Sequence, residues 1–323
     1  MRVFVTGASG FIGRRLLPRL CADGHRVTAL LLPAEPPLPV DGVGIARGDI
    51  TRADTLRGVL DGHDAVVHLA GAVGYGQTFE RCNAINRDGT AHVAAEAARV
   101  GARRFVHMSS VSVYGRVANV RITEDFPLRK IGDPYGDTKI DAEHIVGALA
   151  ARGALDLTIV RPTVIYGPGD DKFLPRLADN LRTGRARIVG SGRNTVDLIH
   201  VDDAVDFLAR GLTDRRAVGG VYNLTHPANP TWNEFVALVA ETLGVPPPRR
   251  HLPYPVALVV AGLMQAWAAV RGGEPRLSPY MVRVIGRQYL YVTQRAECEL
   301  GFTPRISLAD GIRQCLAIGT GHP

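Results

Sequence analysis

Short apolar runs alternate with amphipathic segments along the first two thirds of the chain. Residues 2–6 form one such run, and residues 11–21 repeat their apolar side chains at helical spacing, with Leu16, Leu17 and Leu20 on one face. Further strands are predicted at 27–32, 45–49, 65–69, 105–108, 157–160 and 221–224. Further helices are predicted at 55–60, 90–100, 142–151, 174–181 and 203–212. This alternation predicts an α/β fold with a doubly wound parallel sheet.

A glycine-rich turn joins the first predicted strand to the first predicted helix. Its glycine spacing allows a tight turn and the close approach of a pyrophosphate to a helix N-terminus. The position of the turn, between a strand and a helix, indicates a dinucleotide-binding site. The residues expected to contact the cofactor here are Gly7, Ser9, Gly10, Phe11, Ile12 and Gly13.

The end of the second strand bears on which dinucleotide is bound. An acidic residue there favours NAD, and a basic residue favours NADP. The chain has Leu32 followed by Pro33 at this place, so the sequence leaves NAD or NADP open. Asp49, after the third strand, has two interpretations of equal weight: a contact with the adenine, or a cap of the following loop.

Tyr135 and Lys139 lie four residues apart in the segment after the fifth strand. If a helix begins at Pro134 with Asp133 as its cap, both side chains lie on one face. An ammonium group beside a phenol is expected to lower the pKa of the phenol. The pair therefore predicts a proton donor or acceptor for a carbonyl or alcohol oxygen.

Three serines follow the fifth strand, where ligands of such sheets bind: Ser109, Ser110 and Ser112. A hydroxyl at this edge can hydrogen-bond the reacting oxygen. Serines are equally common in loops as turn formers, so the residues alone leave both interpretations open.

Eight segments, in order along most of the chain, resemble the extended short-chain dehydrogenase/reductase superfamily, which includes NAD-dependent epimerases and dehydratases. They are TGASGFIG at 6–13, GDI at 48–50, DAVVHLAG at 64–71, INRDGT at 85–90, FVHMSSVSVYG at 105–115, YGDTK at 135–139, RPTVIYGPGD at 161–170 and IHVDDAV at 199–205. The resemblance implies a Rossmann fold of about seven strands, a bound nicotinamide dinucleotide, and a catalytic set of Ser110, Tyr135 and Lys139. It further implies cofactor contacts from Asp49, Ile50, Leu69, Ala70, Tyr135, Lys139 and Pro162.

The same resemblance predicts the domain organisation and the assembly. We divide the chain into a dinucleotide-binding Rossmann domain at 1–165, to which 198–224 return, and a substrate-binding domain formed by 166–197 and 225–323. The alanine-rich helices at 90–100 and 140–151 correspond to the pair that forms a dimer interface in the superfamily. A homodimer is therefore implied.

Departures from the superfamily pattern reduce the number of reaction types that are expected for this chain. Ser110 is not followed by the Asp-Glu pair of the 4,6-dehydratases, and Val196 occupies the place of a diphosphate-binding arginine in many sugar-nucleotide epimerases. The segments at 190–194, 275–278, 296–304 and 306–312 resemble instead the 3β-hydroxysteroid dehydrogenase-like branch. We therefore expect an oxidoreductase that interconverts a ketone and a secondary alcohol on a largely apolar, steroid-like or β-keto acid-like substrate. A sugar-nucleotide epimerase or 4-ketoreductase is the second hypothesis, and a non-catalytic dinucleotide-binding regulator is a distant third.

Composition and charge exclude several other classes. The chain has 323 residues, 46% of them hydrophobic, and a net charge of +7 that is dispersed among arginines rather than gathered in a stripe. We therefore expect a small-molecule substrate and no nucleic acid. Four cysteines without a paired spacing predict a reduced, cytoplasmic setting, and the spacing of His, Cys and acidic residues predicts no metal site. His68, His107 and His200 are interpreted as structural residues.

An uncharged segment at 252–270 has two interpretations. Its large side chains recur at helical intervals from Val256 to Val270, which predicts a helix with its large face packed against an apolar partner. We expect this helix to wall the substrate pocket, with no membrane contact. Peripheral membrane contact, as implied by the steroid branch, is the alternative.

Overall fold

Thirteen strands occur in the residues that the computed structural model describes, which are 1–74, 76–271 and 277–318. They are β1 (Arg2–Thr6), β2 (Arg26–Leu31), β3 (Val43–Arg47), β4 (Ala65–His68), β5 (Arg104–Met108), β6 (Arg121–Ile122), β7 (Asp156–Pro162), β8 (Val164–Tyr166), β9 (Ile188–Val189), β10 (Leu198–His200), β11 (Val221–Leu224), β12 (His251–Leu252) and β13 (Leu290–Tyr291).

Eleven α-helices occur in the same residues. They are α1 (Phe11–Ala22), α2 (Phe79–Cys82), α3 (Gly89–Val100), α4 (Pro134–Ala151), α5 (Leu174–Arg182), α6 (Val201–Thr213), α7 (Trp232–Thr242), α8 (Tyr254–Arg271), α9 (Pro279–Ile285), α10 (Gln294–Leu300) and α11 (Leu308–Ile318). A π-helix at Asn83–Asp88 leads into α3, and short 3₁₀ turns occur at Ala53–Leu56, Val111–Tyr114 and Arg215–Ala217.

Seven strands form one parallel sheet in the order β11-β7-β5-β4-β1-β2-β3. The central strands are buried on both faces, which is why they read as continuous apolar runs. Helices α1 and α6 pack on one face and α3 and α4 on the other. The α/β fold with a doubly wound, seven-stranded Rossmann sheet is therefore confirmed.

Two of the predicted helices differ from the structure. The helix predicted at 55–60 is a 3₁₀ turn at Ala53–Leu56, because Gly58 adopts a φ of +73° that no α-helix accommodates. The helix predicted at 142–151 is the second half of α4. Asp133 caps this helix by accepting a hydrogen bond from the Gly136 N–H at 3.1 Å.

The carboxyl-terminal elements pack over the carboxyl edge of the sheet. Three small parallel pairs (β8 with β10, β9 with β12, and β6 with β13) bring distant segments together. Helices α5, α7 and α11 enclose an apolar cluster of their own, built around Leu174, Phe235 and Ile312. The division into a Rossmann and a substrate-binding domain at the predicted boundaries stays a prediction.

Helix α8 is oriented opposite to the prediction from its sequence. Three of its alanines, Ala257, Ala261 and Ala268, are buried, and the first two are fully buried against Val282 of α9 and Val189 of β9. Its large residues face outward, with Leu263 67% and Trp267 60% exposed. The prediction was wrong because bulk was taken as the sign of a packed face, whereas close helix contact here requires small side chains.

Some sequence features remain outside these observations. Pro275 and Arg276, which contribute to the resemblance at 275–278, lie outside the described residues. Within the part of the chain that the structure describes, no helix is long and apolar enough to cross a membrane. Within the same part, no group of three or more His, Cys, Asp or Glu side chains is placed to bind a metal ion.

Candidate active site

The glycine-rich turn closes against the strand beside it. Gly7 has a φ of +65°, and a Cβ at this position would lie 2.7 Å from the Ala70 backbone nitrogen. A Cβ on Gly13 would collide with the carbonyl oxygens of Gly7 and Ala8. Only glycine fits these two positions, so the turn leaves the N-terminus of α1 open to a ligand.

This open helix end fits a dinucleotide pyrophosphate. Gly10 is the N-cap of α1 and has no side chain to occupy the first N–H groups. The first turn of the helix carries no acidic residue. A phosphate there would accept hydrogen bonds from the free N–H groups and interact favourably with the helix dipole.

The remaining predicted cofactor residues lie along the same carboxyl edge. Leu69 and Ala70 follow β4 and are held by Thr6, whose carbonyl and hydroxyl oxygens accept their N–H groups at 3.2 and 3.3 Å. Pro162 ends β7. Ser9, Phe11 and Ile12 are partly buried in the turn and the first turn of α1. The structure thus gathers these segments at one edge of the sheet.

Asp49 and Ile50 lie beyond β3 with local partners. The Asp49 carboxylate accepts hydrogen bonds from the N–H and hydroxyl of Thr51, at 2.9 and 2.8 Å. Ile50 is buried, and its side chain leaves room only for glycine at position 89. This geometry is that of a loop cap for Asp49, and adenine contact stays a prediction.

Two charged residues, Glu35 and Arg47, lie beside the end of β2, and Arg47 is one of the arginines, with Arg14 and Arg15, that the sequence offers as partners of a phosphate. Leu32 is exposed, and its N–H donates to the Glu35 carboxylate at 3.0 Å. The Arg47 guanidinium, at the end of β3, donates to the carbonyl oxygens of Leu32 at 2.8 Å and of Glu35. The basic Arg47 and the acidic Glu35 therefore both lie where the ribose of a dinucleotide is recognised in this type of sheet.

The serine, tyrosine and lysine of the predicted catalytic set are brought together by β5 and α4. The Ser110 hydroxyl lies close enough to Tyr135 to lower the pKa of its phenol, and it also accepts the Ser112 N–H at 3.2 Å. The ammonium group of Lys139 is buried and donates to the Met108 carbonyl at 2.8 Å. It also faces Gly71, since a Cβ there would lie 3.3 Å from the Lys139 Nζ.

The pKa of Tyr135 departs from the sequence prediction. Burial raises the pKa of Tyr135 to about 12, and the nearby Ser110 hydroxyl offsets only part of this rise. Burial also lowers the pKa of Lys139 to about 8. The predicted lowering of the phenol pKa is therefore wrong in this structure, because the loss of solvent dominates and the Lys139 ammonium is not among the charges that act on Tyr135. Tyr135 is protonated at neutral pH and is set up as a proton donor.

A buried ion pair behind the catalytic residues was missed by the sequence analysis. Glu143, one helical turn after Lys139, accepts two hydrogen bonds from Arg161 at 2.6 and 2.9 Å. The same carboxylate accepts the Ser109 hydroxyl at 2.5 Å. Both side chains of the pair are less than a tenth exposed. The pair therefore fastens the end of β5, which carries Ser110, to the helix that carries Tyr135.

Asn86, which the sequence suggests as a helix anchor near the site without a catalytic role, links two segments of the site. Its buried side chain accepts the Ala72 N–H at 2.7 Å and donates to Thr138 at 3.2 Å. A Cβ on Gly71 would lie 3.4 Å from its Oδ1. Asn86 lies in the π-helix, a distortion that often marks functional sites. It holds the loop after β4 against the catalytic helix.

The three histidines are structural, as predicted. His68 is buried between the hydroxyls of Thr6 at 2.7 Å and Thr90 at 2.9 Å, and burial lowers the pKa of His68 to about 3. His107 stacks on His68 with ring centroids 5.6 Å apart. His200 caps α6 through the Asp202 N–H at 3.2 Å.

Residues 190–196 contain the positions that separate the hydroxysteroid dehydrogenase-like branch from the sugar-nucleotide epimerases. Val196 is buried in the cluster of Phe235 and Leu198, so this position belongs to the core. Asn194 donates to the carbonyl oxygens of Ile285 and Arg287 at 2.6 and 3.1 Å. The 190–194 turn therefore fastens to the end of α9.

Two surface grooves lie away from these residues. One, of about 580 Å³, is lined by the outer face of α3 around His92 and Arg99. The other, of about 490 Å³, opens at the amino-terminal ends of β1 and β2 around Arg2 and Arg26. Ligands of parallel sheets bind at the opposite, carboxyl edge, so neither groove is the reaction site.

Three known proteins resemble this chain along nearly its whole length. It is 32% identical to the 2-alkyl-3-oxoalkanoate reductase of Stenotrophomonas maltophilia (strain K279a), over 98% of this chain and 99% of that protein. It is 33% identical to the 4-hydroxy-2-methyl-3-oxo-4-farnesyl-3,4-dihydroquinoline-1-oxide ketoreductase of Stigmatella aurantiaca, over 99% and 98%. The structure of MoeE5 in complex with UDP-glucose and NAD aligns with a TM-score of 0.77 and 29% identity, over 99% of both chains.

A sequence model of one family matches most of the Rossmann core. The match covers residues 3–225, which include the glycine-rich turn, the catalytic set and β11. Named relatives are reductases, and a structural neighbour binds NAD. With its sheet, its glycine turn and its Ser110, Tyr135 and Lys139 in one place, the chain belongs to the NAD dependent epimerase/dehydratase family, the extended short-chain dehydrogenases/reductases.

Proposed function

We propose that this protein is an NAD(P)H-dependent reductase that converts a ketone on a largely apolar substrate to a secondary alcohol. The observation that carries the proposal is that Ser110, Tyr135 and Lys139 meet at the carboxyl edge of the sheet, where the phenol of Tyr135 stays protonated at neutral pH. A protonated phenol suits the donation of a proton to a carbonyl oxygen. The ketoreductase names of two relatives support the same direction of reaction.

Each residue of the set has a separate task in this mechanism. A reduced nicotinamide, when bound, would supply the hydride for the carbonyl carbon. Ser110 and Tyr135 would hydrogen-bond the carbonyl oxygen, and Tyr135 would give it a proton as charge develops. Lys139, whose ammonium donates to the Met108 carbonyl and faces the loop at Gly71, would hold the ribose of the cofactor.

The substrate is proposed to be steroid-like or β-keto acid-like. Relatives named for hydroxysteroids and for 3-oxoalkanoates support this class. Second to it stands a sugar-nucleotide epimerase or 4-ketoreductase, which the likeness to the UDP-glucose complex of MoeE5 favours. Burial of Val196 in the core weighs against it, since no arginine can reach a diphosphate from that position.

Substitution of Tyr135 tests the mechanism. We expect Tyr135→Phe to lower kcat on the order of 100-fold or more while the protein still binds NADH, because only the proton donor is lost. Ser110→Ala should lower kcat more than Ser109→Ala or Ser112→Ala. The measurement is oxidation of NADH or NADPH with a panel of apolar ketones. Turnover of Tyr135→Phe near that of the wild type would remove Tyr135 from the mechanism.

We also propose a homodimer in a reduced, cytoplasmic setting. Helices α3 and α4 expose small residues, including Ala95 and Ala148, over which a second copy can approach closely. All four cysteines are free thiols, which supports a reducing compartment. Sedimentation equilibrium tests the dimer: Ala148→Arg should yield monomers, and an unchanged mass would place the interface elsewhere.

Subcellular fractionation of the native host tests the cytoplasmic setting, and recovery of the protein outside the cytoplasmic fraction would contradict it.

A further inference from the structure

Several buried polar atoms stand without partners where the catalytic loop meets the carboxyl-terminal elements. Among the described residues, the Arg116 Nε, the Tyr254 hydroxyl and one Asp197 carboxylate oxygen are buried and make no hydrogen bond. A buried polar group left unpaired costs about 1–3 kcal/mol. Two stacked tyrosines link the three groups, since Arg116 and Tyr254 act on the phenol of Tyr289 and Asp197 acts on that of Tyr291. Unpaired groups around one pair of rings suit a polar ligand that supplies the missing partners.

Arg116 connects this region to the catalytic helix. Its guanidinium lies 3.9 Å from the Asp133 carboxylate, beyond hydrogen-bonding distance, and Asp133 is the N-cap of α4. Asp133 is close enough to Tyr135 to act on the pKa of the phenol. The guanidinium also lies over the ring of Tyr280, 4.6 Å from its centroid. Arg116 is thus a cation beside the reaction centre that forms a loose ion pair with Asp133 and whose Nε has no hydrogen-bond partner among the described residues.

Tyrosines and further arginines surround this cation. Tyr289 is buried, and the charges that act on the pKa of its phenol include those of Arg116, Arg283 and Arg287. The ring of Tyr254 lies under Arg287, at 5.8 Å. The site is therefore walled by aromatic rings and positive in charge, with exposed arginines at its rim and Arg116 inside.

The carboxyl group of Asp197 does not cancel the positive charge of this site. Burial raises the pKa of Asp197 to about 7, so that its carboxyl is substantially protonated at neutral pH. It stands near Tyr291, whose ring stacks on Tyr289 with centroids 6.3 Å apart. A protonated carboxyl is a hydrogen-bond donor, and so are the other two unpaired groups.

We propose that Arg116, with Tyr254, forms a binding site for the carboxylate of the ketone substrate, so that the enzyme acts on apolar keto acids rather than on neutral sterols. This inference rests on the proposed ketone reduction and names the substrate within it. A carboxylate satisfies the Arg116 N–H and the Tyr254 hydroxyl together. The aromatic walls suit the alkyl chain that carries it.

A pair of probes that differ only in charge tests the proposal. With 3-oxodecanoate and its methyl ester, we expect wild-type kcat/KM to be at least about 10-fold higher for the acid. Arg116→Gln should raise KM for the acid by about 10- to 100-fold and change KM for the ester by less than about 3-fold. Tyr254→Phe, which removes only a hydroxyl, should act in the same direction and more weakly. Arg121→Gln, at an exposed arginine of the nearby strand β6, is the matched control and should change neither KM.

Binding without turnover separates this inference from the proposed function. Calorimetry with decanoate should show binding to the wild type that Arg116→Gln weakens by about 10-fold or more. If decanoate binds in this way and no ketone is reduced, the anion site stands and ketone reduction fails. If both ketones are reduced equally well, or if Arg116→Gln affects them equally, the carboxylate site is overturned. If UDP competes with the ketone and Arg116→Gln relieves it, the site serves a diphosphate instead, and the proposal is also overturned.

Discussion

At the scale of single residues, burial decides the chemistry of the site. The pKa values of Tyr135 and Lys139 move in opposite directions from those of free side chains: the phenol is a weaker acid and the ammonium a stronger one. Glu143 is the nearest described charge that supports the protonated form of Lys139. The buried pair of Glu143 and Arg161 is therefore an electrostatic part of the site as well as a fastener of Ser109.

The pH dependence of turnover should report this arrangement. The folded pKa of Lys139, about 8, lies below its ordinary value of 10.5, so the ammonium is lost as pH rises through about 8. We expect kcat/KM to fall above that pH. Because the native protein binds fewer protons than the unfolded chain between about 8 and 10.5, folding stability gains from Lys139 across the same window.

Glu143→Gln should move that profile. The amide keeps an acceptor for Ser109 but removes the negative charge, so the pKa of Lys139 falls further and the alkaline limb of kcat/KM moves to lower pH. Loss of the ion pair should also lower the free energy of unfolding by about 3–5 kcal/mol. A variant with lowered stability and an unmoved alkaline limb would reduce Glu143 to a structural role.

Cofactor preference is expected to be weak. Arg47 and Glu35 both stand beside Leu32, so a 2′-phosphate and a ribose hydroxyl each have a partner within reach. We expect NADH and NADPH affinities to differ by less than about 1,000-fold, near 4 kcal/mol. Arg47→Gln should weaken NADPH more than NADH in side-by-side titrations. Equal losses for the two cofactors would show that Arg47 does not read the phosphate.

At the scale of elements, α8 shows how packing overrides a pattern read from one sequence. Its alanines sit against α9 because two helices approach closely only where side chains are small. The large residues are left on the outer face, and Trp267 is covered there by Arg271, whose guanidinium lies 4.5 Å from the ring. The wall of a pocket, if α8 supplies one, comes from its inner residues such as Tyr254 and Leu258.

Two substitutions on α8 should differ sharply in effect. Ala261 is fully buried, so Ala261→Leu should overpack the contact with α9 and lower the free energy of unfolding by about 1–3 kcal/mol. Leu263, two residues on, is 67% exposed, and Leu263→Gln should change it by no more than about 0.5 kcal/mol. Urea denaturation measures both. The reverse ranking would mean that the helix is rotated.

At the scale of the whole molecule, the site exists only because the sheet brings its strand ends to one edge. The Gly7 turn follows β1, the Leu69–Ala70 loop follows β4, and Ser110 follows β5, and these three strands are neighbours. Gly7 approaches the Ala70 backbone so closely that the two loops form one surface.

Gly7→Ala tests that junction. The added methyl would meet the Ala70 backbone at 2.7 Å in a conformation with positive φ, so the loop after β4 must move. We expect affinity for NADH to fall by about 10-fold or more, which isothermal titration measures. Gly24→Ala also places a methyl at positive φ, on the far side of α1 and in open space, and it should leave NADH affinity unchanged. If Gly24→Ala lowers NADH affinity as much as Gly7→Ala does, the loss of affinity comes from backbone strain alone and not from the contact with Ala70.

The sequence by itself determined the features that depend on neighbours along the chain. Strand and helix alternation, the glycine turn and the YxxxK spacing are local, so the fold class and the places of Ser110, Tyr135 and Lys139 could be predicted. Only the tertiary structure decided what depends on segments far apart in sequence. The Glu143 carboxylate meets Arg161 across α4 and β7, Arg116 meets Tyr280 of α9, and α8 turns Ala257 and Ala261 inward. Burial then set the pKa of Tyr135, because the loss of water around a side chain is a property of the packed molecule.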